Sequence, residues 1–374
     1  MKVAVNRDGA TKRETSRRRM GIALCMLMFL AAAAFAQDSA WIRPAKAGDA
    51  LVWGRRDGIV FGLKGPNGGF NGPGKDDGPR GLIRVGIVPT GAAGPKLLNY
   101  IAVEPVVRGP GARFDRMAFS EMETSELDKG LQGKRMWVNA ESIAGGVAAG
   151  KLETLHAGKA TVERLSVRID VERFTANGAH VYVVASIDSD HPSELRLATY
   201  AEDDSPAIEE LTVTATMGNY ERLRLLWLKD HVISTEEMFG TYKGTDFADG
   251  DDIPLPEMLR SGEGDAVAFC TSNEADPGKT PANATAHWIY SLPKLTQYWR
   301  VLGYDVQPDL RIRVNARRTY FRTTIPLPGG IAYENFEVRE RYAPGQVFIY
   351  GITPKEPWQF YHGPGKVTAA EAQE

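Results

Sequence analysis

The sequence predicts an all-β fold, a large antiparallel β-sandwich with few short helices. The clearest observation is Thr161–Phe174, where apolar and polar residues alternate with a period of two, as in a strand with one buried face. The turn dipeptide Asn177-Gly178 and the apolar run His180–Ile187 follow, which together predict a hairpin. Further strand-like runs recur at short spacing without the interleaved helices of a βαβ fold.

The remaining predicted strands are short apolar or alternating runs bounded by Gly, Pro, Asn or Asp. In chain order they are Leu82–Val88, Tyr100–Val107, Glu194–Tyr200, Glu210–Thr216, Ala266–Thr271, His287–Tyr290, Leu310–Ala316, Ile331–Arg341 and Gln346–Ile352. Because Cys270 lies within one of these apolar runs, we expect a buried strand residue there rather than a nucleophile.

Helical signals are few. Ser120–Asp128 predicts a short helix, because Ser120 can cap it and Glu123 stands at the third position of a capping box. The stretch Tyr220–Lys229 is ambiguous, since its apolar residues fit either one face of a helix or one face of a strand.

The N-terminal segment Met1–Ala36 predicts a cleaved export signal. A basic region precedes an uncharged apolar run that ends in Ala34-Phe35-Ala36, with small residues at both positions required for cleavage. A retained anchor and a twin-arginine signal are the alternatives. Export predicts a periplasmic or extracellular protein, with residues 37–374 as one large sandwich unit, a weak sub-boundary near 201–210 and no membrane span.

Composition excludes several classes of protein. Two cysteines exclude a disulfide scaffold, and a sequence pI of about 6.4 argues against a basic nucleic-acid binder. Because Met1–Ala36 carries seven basic and two acidic residues, its removal changes the formal net charge from −2 to −7.

The C-terminal third carries the predicted ligand-binding residues. Arg311, Arg313 and Asn315 alternate with apolar residues, so one strand face presents two guanidiniums and an amide. Such a face suits an acidic or polyhydroxyl ligand, and Arg322 and Trp288 complete the predicted substrate-binding set. Cross-strand ion pairs are the alternative role for arginines in this region, with Arg339 and Arg341 against Glu337 and Glu340.

Two reactions are compatible with the candidate catalytic residues. In a glycoside hydrolase, acid and base would come from Glu121, Glu123 and Glu334, because paired carboxylates perform that chemistry.

In a polysaccharide lyase, Tyr320 or His287 would take the proton next to a uronate carboxylate. Arg313 or Asn315 would then neutralise that carboxylate.

Calcium is the one cofactor that the sequence suggests. Closely spaced carboxylates suit a hard cation, although a solvated acidic turn is the alternative. The residues concerned are Asp246, Asp249, Asp251 and Asp252.

Several stretches resemble secreted bacterial proteins of unknown function, namely Gly78–Gly86, Asn99–Pro105, Gly218–Leu228 and Pro328–Glu337. The all-β pattern is also similar to large sandwich proteins of the galactose-mutarotase and polysaccharide-lyase kind. Neither resemblance transfers a site residue, because architecture does not specify function. The sequence thus predicts an exported carbohydrate-active protein, a glycoside hydrolase or polysaccharide lyase with an oligo- or polysaccharide as partner. A non-catalytic glycan-binding or cell-envelope sandwich protein is the alternative.

Overall fold

The structure, a computed structural model, describes residues 40–64, 79–107, 124–129, 133–138, 147–157, 160–216, 221–274, 290, 292–321 and 323–360. The described strands form two large antiparallel sheets within one compact unit, Trp41–Glu374. The predicted all-β sandwich is therefore confirmed. The predicted export signal Met1–Ala36 lies outside the described residues.

The first sheet contains nine of the described strands. From edge to edge its order is β1 (Trp41–Ile42), β2 (Val52–Arg55), β3 (Ile59–Gly62), β4 (Ile83–Ile87), β5 (Lys96–Val107), β11 (Ile208–Thr216), β19 (Ala332–Arg341), β18 (Arg311–Arg317) and β14 (Ala248–Pro254).

The second sheet contains eleven described strands. Its order is β13 (Val232–Ser234), β12 (Leu225–Trp227), β16 (Ala266–Thr271), β17 (Thr296–Val301), β20 (Val347–Thr353), β10 (Glu194–Ala201), β9 (Val181–Asp188), β8 (Ala160–Val171) and β6 (Met136–Val138), with β15 (Leu259–Arg260) on β16 and β7 (Lys151–Ala157) on β8.

Helical elements are short in the described part of the chain. They are α1 (Thr235–Phe239), α2 (Pro357–Phe360) and a 3-10 turn at Leu255–Glu257. A capping box starts α1, because the Ser234 hydroxyl accepts from the Glu237 N–H and the Glu237 carboxylate accepts from the Ser234 N–H. Among the described residues, we find no helix with the length and apolar character needed to cross a membrane.

The period-two pattern of the sequence is realised in β8. Leu165, Val167 and Ile169 are buried against the other sheet, while the residues between them are half-buried on the outer face. β8 then pairs antiparallel with β9, and the connecting turn uses Gly178 at a φ of 74°. The predicted hairpin is therefore confirmed, with glycine at the position that requires left-handed backbone.

The core lies between the two sheets. The indole of Trp299 on β17 is fully buried, and its N–H donates to the carbonyl of Phe336 on β19 at 2.8 Å. This bond joins the sheets and satisfies the one polar atom of a large apolar side chain. Cys270 lies fully buried in β16, as predicted, and burial raises the pKa of its thiol well above the usual range.

The predicted helix Ser120–Asp128 is wrong where the structure describes it, because residues 124–129 contain a turn and no helix. The carboxylate of Glu172, just after β8, accepts from the backbone N–H groups of Glu126 and Leu127 at 2.6 and 3.1 Å and from the Ser125 hydroxyl. The N–H groups of this segment therefore bind a side chain that is distant in the sequence. Such a contact cannot be predicted from the local sequence.

Two other stretches receive a definite structure. The ambiguous Tyr220–Lys229 forms a strand, β12, in its centre, which pairs with β13 and β16. The stretch Ala201–Glu210, a predicted sub-boundary, leads from β10 in the eleven-stranded sheet to β11 in the nine-stranded sheet.

Gly351 on β20 gives a test of the packing on the outer face of the eleven-stranded sheet. A Cβ at this position would lie 1.9 Å from the Tyr298 ring, which covers the glycine from the neighbouring strand. We expect Gly351→Ala to lower the free energy of unfolding by about 1–3 kcal/mol, as overpacking does. Chemical denaturation measures this, with Gly262→Ala as control, because a Cβ at Gly262 meets nothing within 4 Å. Equal stability of the two variants would contradict this packing.

Candidate functional site

The outer face of the nine-stranded sheet brings four arginines together. On β18, Ile312 and Val314 face the core, so the alternate residues Arg311 and Arg313 face outward. The same alternation on β19 turns Arg339 and Arg341 outward. In the antiparallel register Arg311 lies opposite Arg339, and Arg313 lies opposite Glu337.

These strands, with β11 and β14 on either side, form a cavity with a volume of about 450 Å³. We call it the arginine pocket. It is lined by four arginines and four acidic residues: Arg311, Arg313, Arg339, Arg341, Glu209, Glu210, Asp252 and Asp309. Its volume lies within the range of ligand pockets, and its lining is entirely charged.

Arg311 is the most strongly paired of the four arginines. Its guanidinium donates to Glu210 on β11 at 2.5 Å and to Asp252 on β14 at 2.9 Å. Burial disfavours the charged form, but these two carboxylates outweigh it and raise the pKa of Arg311 above its usual value. Arg311 therefore links three strands across the floor of the arginine pocket.

Arg339 is also engaged, although more loosely. Its Nε donates to the Thr212 hydroxyl at 3.0 Å and lies 3.5 Å from a carboxylate oxygen of Glu337. Burial raises the pKa of Glu337, and the charges of Arg339 and Arg313 oppose that rise.

Arg313 and Arg341 have less compensation. Arg313 approaches Asp252 only to 3.9 Å. The guanidinium of Arg341 is exposed and forms no ion pair with the described residues, while its backbone N–H donates to Asp309 at 3.0 Å. These two side chains are the cations best placed to bind an added anion.

Asn315 faces outward on the same strand but does not line the arginine pocket. Its side-chain oxygen accepts from the backbone N–H of Asn335 at 3.0 Å, where the register of β18 and β19 shifts. The amide therefore stabilises a β-bulge in the sheet.

Tyr320 and Glu334, two predicted catalytic residues, lie away from the pocket lining. Glu334 is only 2% exposed and lies where the β19 register shifts. Tyr320 is fully buried. Burial raises the pKa of the Tyr320 phenol, although Arg222 opposes the rise, so the ionised form needed in a general base is disfavoured.

The Tyr320 surroundings form a buried ionic cluster with a structural role. Arg222, at a strained φ of 55°, and Arg224 both donate to Glu274, at 2.7 and 2.5 Å. Arg224 also donates to the backbone carbonyl of Ile331 at 3.1 Å. The cluster thereby fastens β12 and the end of β16 to the segment that enters β19.

The other predicted site residues lie outside the described residues: Glu121, Glu123, His287, Trp288 and Arg322. Their roles stay predictions.

The acidic stretch considered for calcium forms part of a strand rather than a turn. Asp249 and Asp252 lie on β14, opposite Asn315 and Arg313, and Asp252 is held by Arg311. Within the described ranges, no three His, Cys, Asp or Glu residues are grouped closely enough to hold a metal. A calcium site that includes Asp246 and Asp251 stays a prediction.

Arg339 and Arg341 line the arginine pocket but are not among the residues predicted to bind substrate. The alternation in Ile331–Arg341 was a sufficient signal, since it places both on the polar face with Arg311 and Arg313. Glu340, a predicted partner for them, points inward and accepts instead from the Gln346 amide at 2.9 Å. Burial raises the pKa of Glu340 to about 7.

Fold and site together define an all-β, two-sheet protein with an arginine-rich pocket on the outer face of its nine-stranded sheet. The chain matches no protein-family model, no curated protein and no solved structure.

Proposed function

We propose that the protein is an exported carbohydrate-binding protein that holds an acidic glycan in the arginine pocket. One observation carries the proposal: four guanidiniums and four carboxylates converge on one open cavity of about 450 Å³. Guanidiniums bind carboxylate groups with paired hydrogen bonds, and carboxylates accept hydrogen bonds from hydroxyls. A sugar that bears both acidic groups and hydroxyls matches both kinds of lining residue.

The placement of the two candidate catalytic residues that the structure describes, Tyr320 and Glu334, favours binding over cleavage. A general acid or base must come within hydrogen-bonding reach of the reacting atoms. Tyr320 and Glu334 are buried outside the pocket lining, and Glu210 and Asp252 are held by Arg311. We therefore propose a glycan-binding protein rather than an enzyme, and the test below also detects cleavage.

The test compares an acidic glycan with a neutral one. We expect polygalacturonate to bind the full chain more tightly than dextran in calorimetric titration. Arg313→Gln is expected to weaken polygalacturonate binding about tenfold or more, because a charge-assisted hydrogen bond contributes about 1.5–3 kcal/mol. Arg56→Gln is the matched control, since Arg56 is exposed in the turn between β2 and β3 and does not line the pocket.

Two results would contradict this proposal. Equal affinity for polygalacturonate and dextran would remove the electrostatic basis of recognition. Release of reducing ends, or absorbance from unsaturated uronates, would show a hydrolase or a lyase instead of a binding protein.

A further inference from the structure

The centre of the arginine pocket is electrostatically balanced. Arg311 is held between Glu210 and Asp252. Arg339 beside it is 7% exposed and donates to Thr212. A guanidinium already bound by carboxylates has little affinity left for a further anion.

The two ends of the pocket differ from this centre. Arg313 lies in register with Glu337, and Arg341 lies four residues further along β19, in register with Glu210. At a rise of about 3.4 Å per residue, the backbone rows that carry Arg313 and Arg341 are about 14 Å apart. Arg341 forms no ion pair within the described part of the chain, and the contact of Arg313 with Asp252 is long, at 3.9 Å.

We propose that the arginine pocket binds an oligomeric acidic sugar through two acidic groups at once, one at Arg313 and one at Arg341. This inference rests on the proposed function and adds the size and charge spacing of the ligand. A single uronate reaches only one end of the pocket. A longer chain engages both ends, and its second contact forms at the high effective concentration set by the first.

The acidic lining favours a sugar over a phosphate chain. Glu209 and Asp309 share the cavity with the arginines, so the eight lining residues carry equal numbers of positive and negative charges. A polyphosphate has no hydroxyl groups to donate to these carboxylates, so its phosphates would lie against them without a compensating hydrogen bond. An oligouronate has hydroxyls between its acidic groups, and those hydroxyls can donate to Glu209 or Asp309.

The test is calorimetric titration of the full chain with galacturonic acid and with its dimer, trimer and pentamer. We expect the trimer to bind at least about tenfold more tightly than the monomer, because the second contact is intramolecular. Arg313→Gln and Arg341→Gln should each reduce trimer affinity to near that of the monomer. Each should change monomer affinity by only about twofold, since the other end remains.

Controls separate this inference from the proposed function. Arg56→Gln should preserve the dependence on chain length, and circular dichroism verifies that each variant is folded. Equal affinity for monomer and trimer, or loss of both on one substitution, would overturn the two-contact inference while acidic-sugar binding stands. Tighter binding of polyphosphate than of the trimer, or equal binding of neutral maltotriose, would overturn both.

Discussion

Replacing Arg300 with methionine is expected to lower the free energy of unfolding by about 3–5 kcal/mol. Arg300 lies on β17 between two acidic residues, and its guanidinium donates to Glu194 at 3.1 Å and to Asp265 at 2.9 Å. Glu194 and Asp265 are 8% and 6% exposed. Methionine is similar in length to the arginine stem but would leave two buried carboxylates without their cation.

Chemical denaturation of the Arg300→Met variant gives the measurement. Lys151→Met is the control, because the ion pair of Lys151 with Glu153 is exposed and is expected to contribute less than about 1 kcal/mol. Adding Glu194→Gln and Asp265→Asn to Arg300→Met should recover much of the loss, since no buried charge then remains unpaired. A loss no larger than that of the control would show that the two carboxylates are well solvated without Arg300.

The fold could be predicted where alternation and turn chemistry agree. β8 and β9 follow from a period-two run and a glycine turn, and both signals are local. β14 is not among the predicted strands, because its sequence is rich in Asp and Gly and has low strand propensity. It forms a strand at the edge of the sheet, where Asp252 binds Arg311 and charged residues are well tolerated.

Only the part of the site that lies on a single strand could be predicted from the sequence. Arg311 and Arg313 share a face because side chains alternate on any strand, whatever lies beside it. That Arg339 stands opposite Arg311 depends on the register of β18 and β19. Glu210 supplies a negative charge to Arg311 only because β11 pairs with β19. The residues paired there are about 130 positions apart in the chain, so local sequence does not predict the contact.

The same long-range pairing assembles a polar network inside the core. Gln297 on β17 accepts from the Tyr350 hydroxyl on β20 at 2.6 Å and from the Asn99 amide on β5 in the opposite sheet. Its own amide donates to Glu221 at 2.7 Å, and the Leu295 N–H donates to the other Glu221 oxygen at 2.6 Å. Glu221 thus places an ionisable group in a network that connects the two sheets.

Glu221 is expected to make the protein less stable as pH rises from about 5 to 8. Its side chain is 1% exposed, and burial raises the pKa to about 8 although the Gln297 and Leu295 hydrogen bonds oppose the rise. The folded protein therefore keeps a proton that the unfolded chain loses near pH 4.5. The stabilisation is complete below the unfolded pKa, and it is lost by about 1.4 kcal/mol per pH unit as pH approaches the folded pKa.

Glu221→Gln isolates this effect, because glutamine cannot titrate. The variant should be less stable than the natural protein at pH 5, since its amide nitrogen must face one of two N–H donors. That difference should shrink steadily between pH 5 and 8, as measured by denaturation in guanidinium chloride.

Glu340, which titrates in the same direction, is present in both proteins and cancels in the comparison. Exposed Glu263, changed to Gln, should give a difference that does not vary with pH. A constant difference for Glu221→Gln as well would mean that water reaches Glu221 and that the two sheets are joined there by an ionised carboxylate.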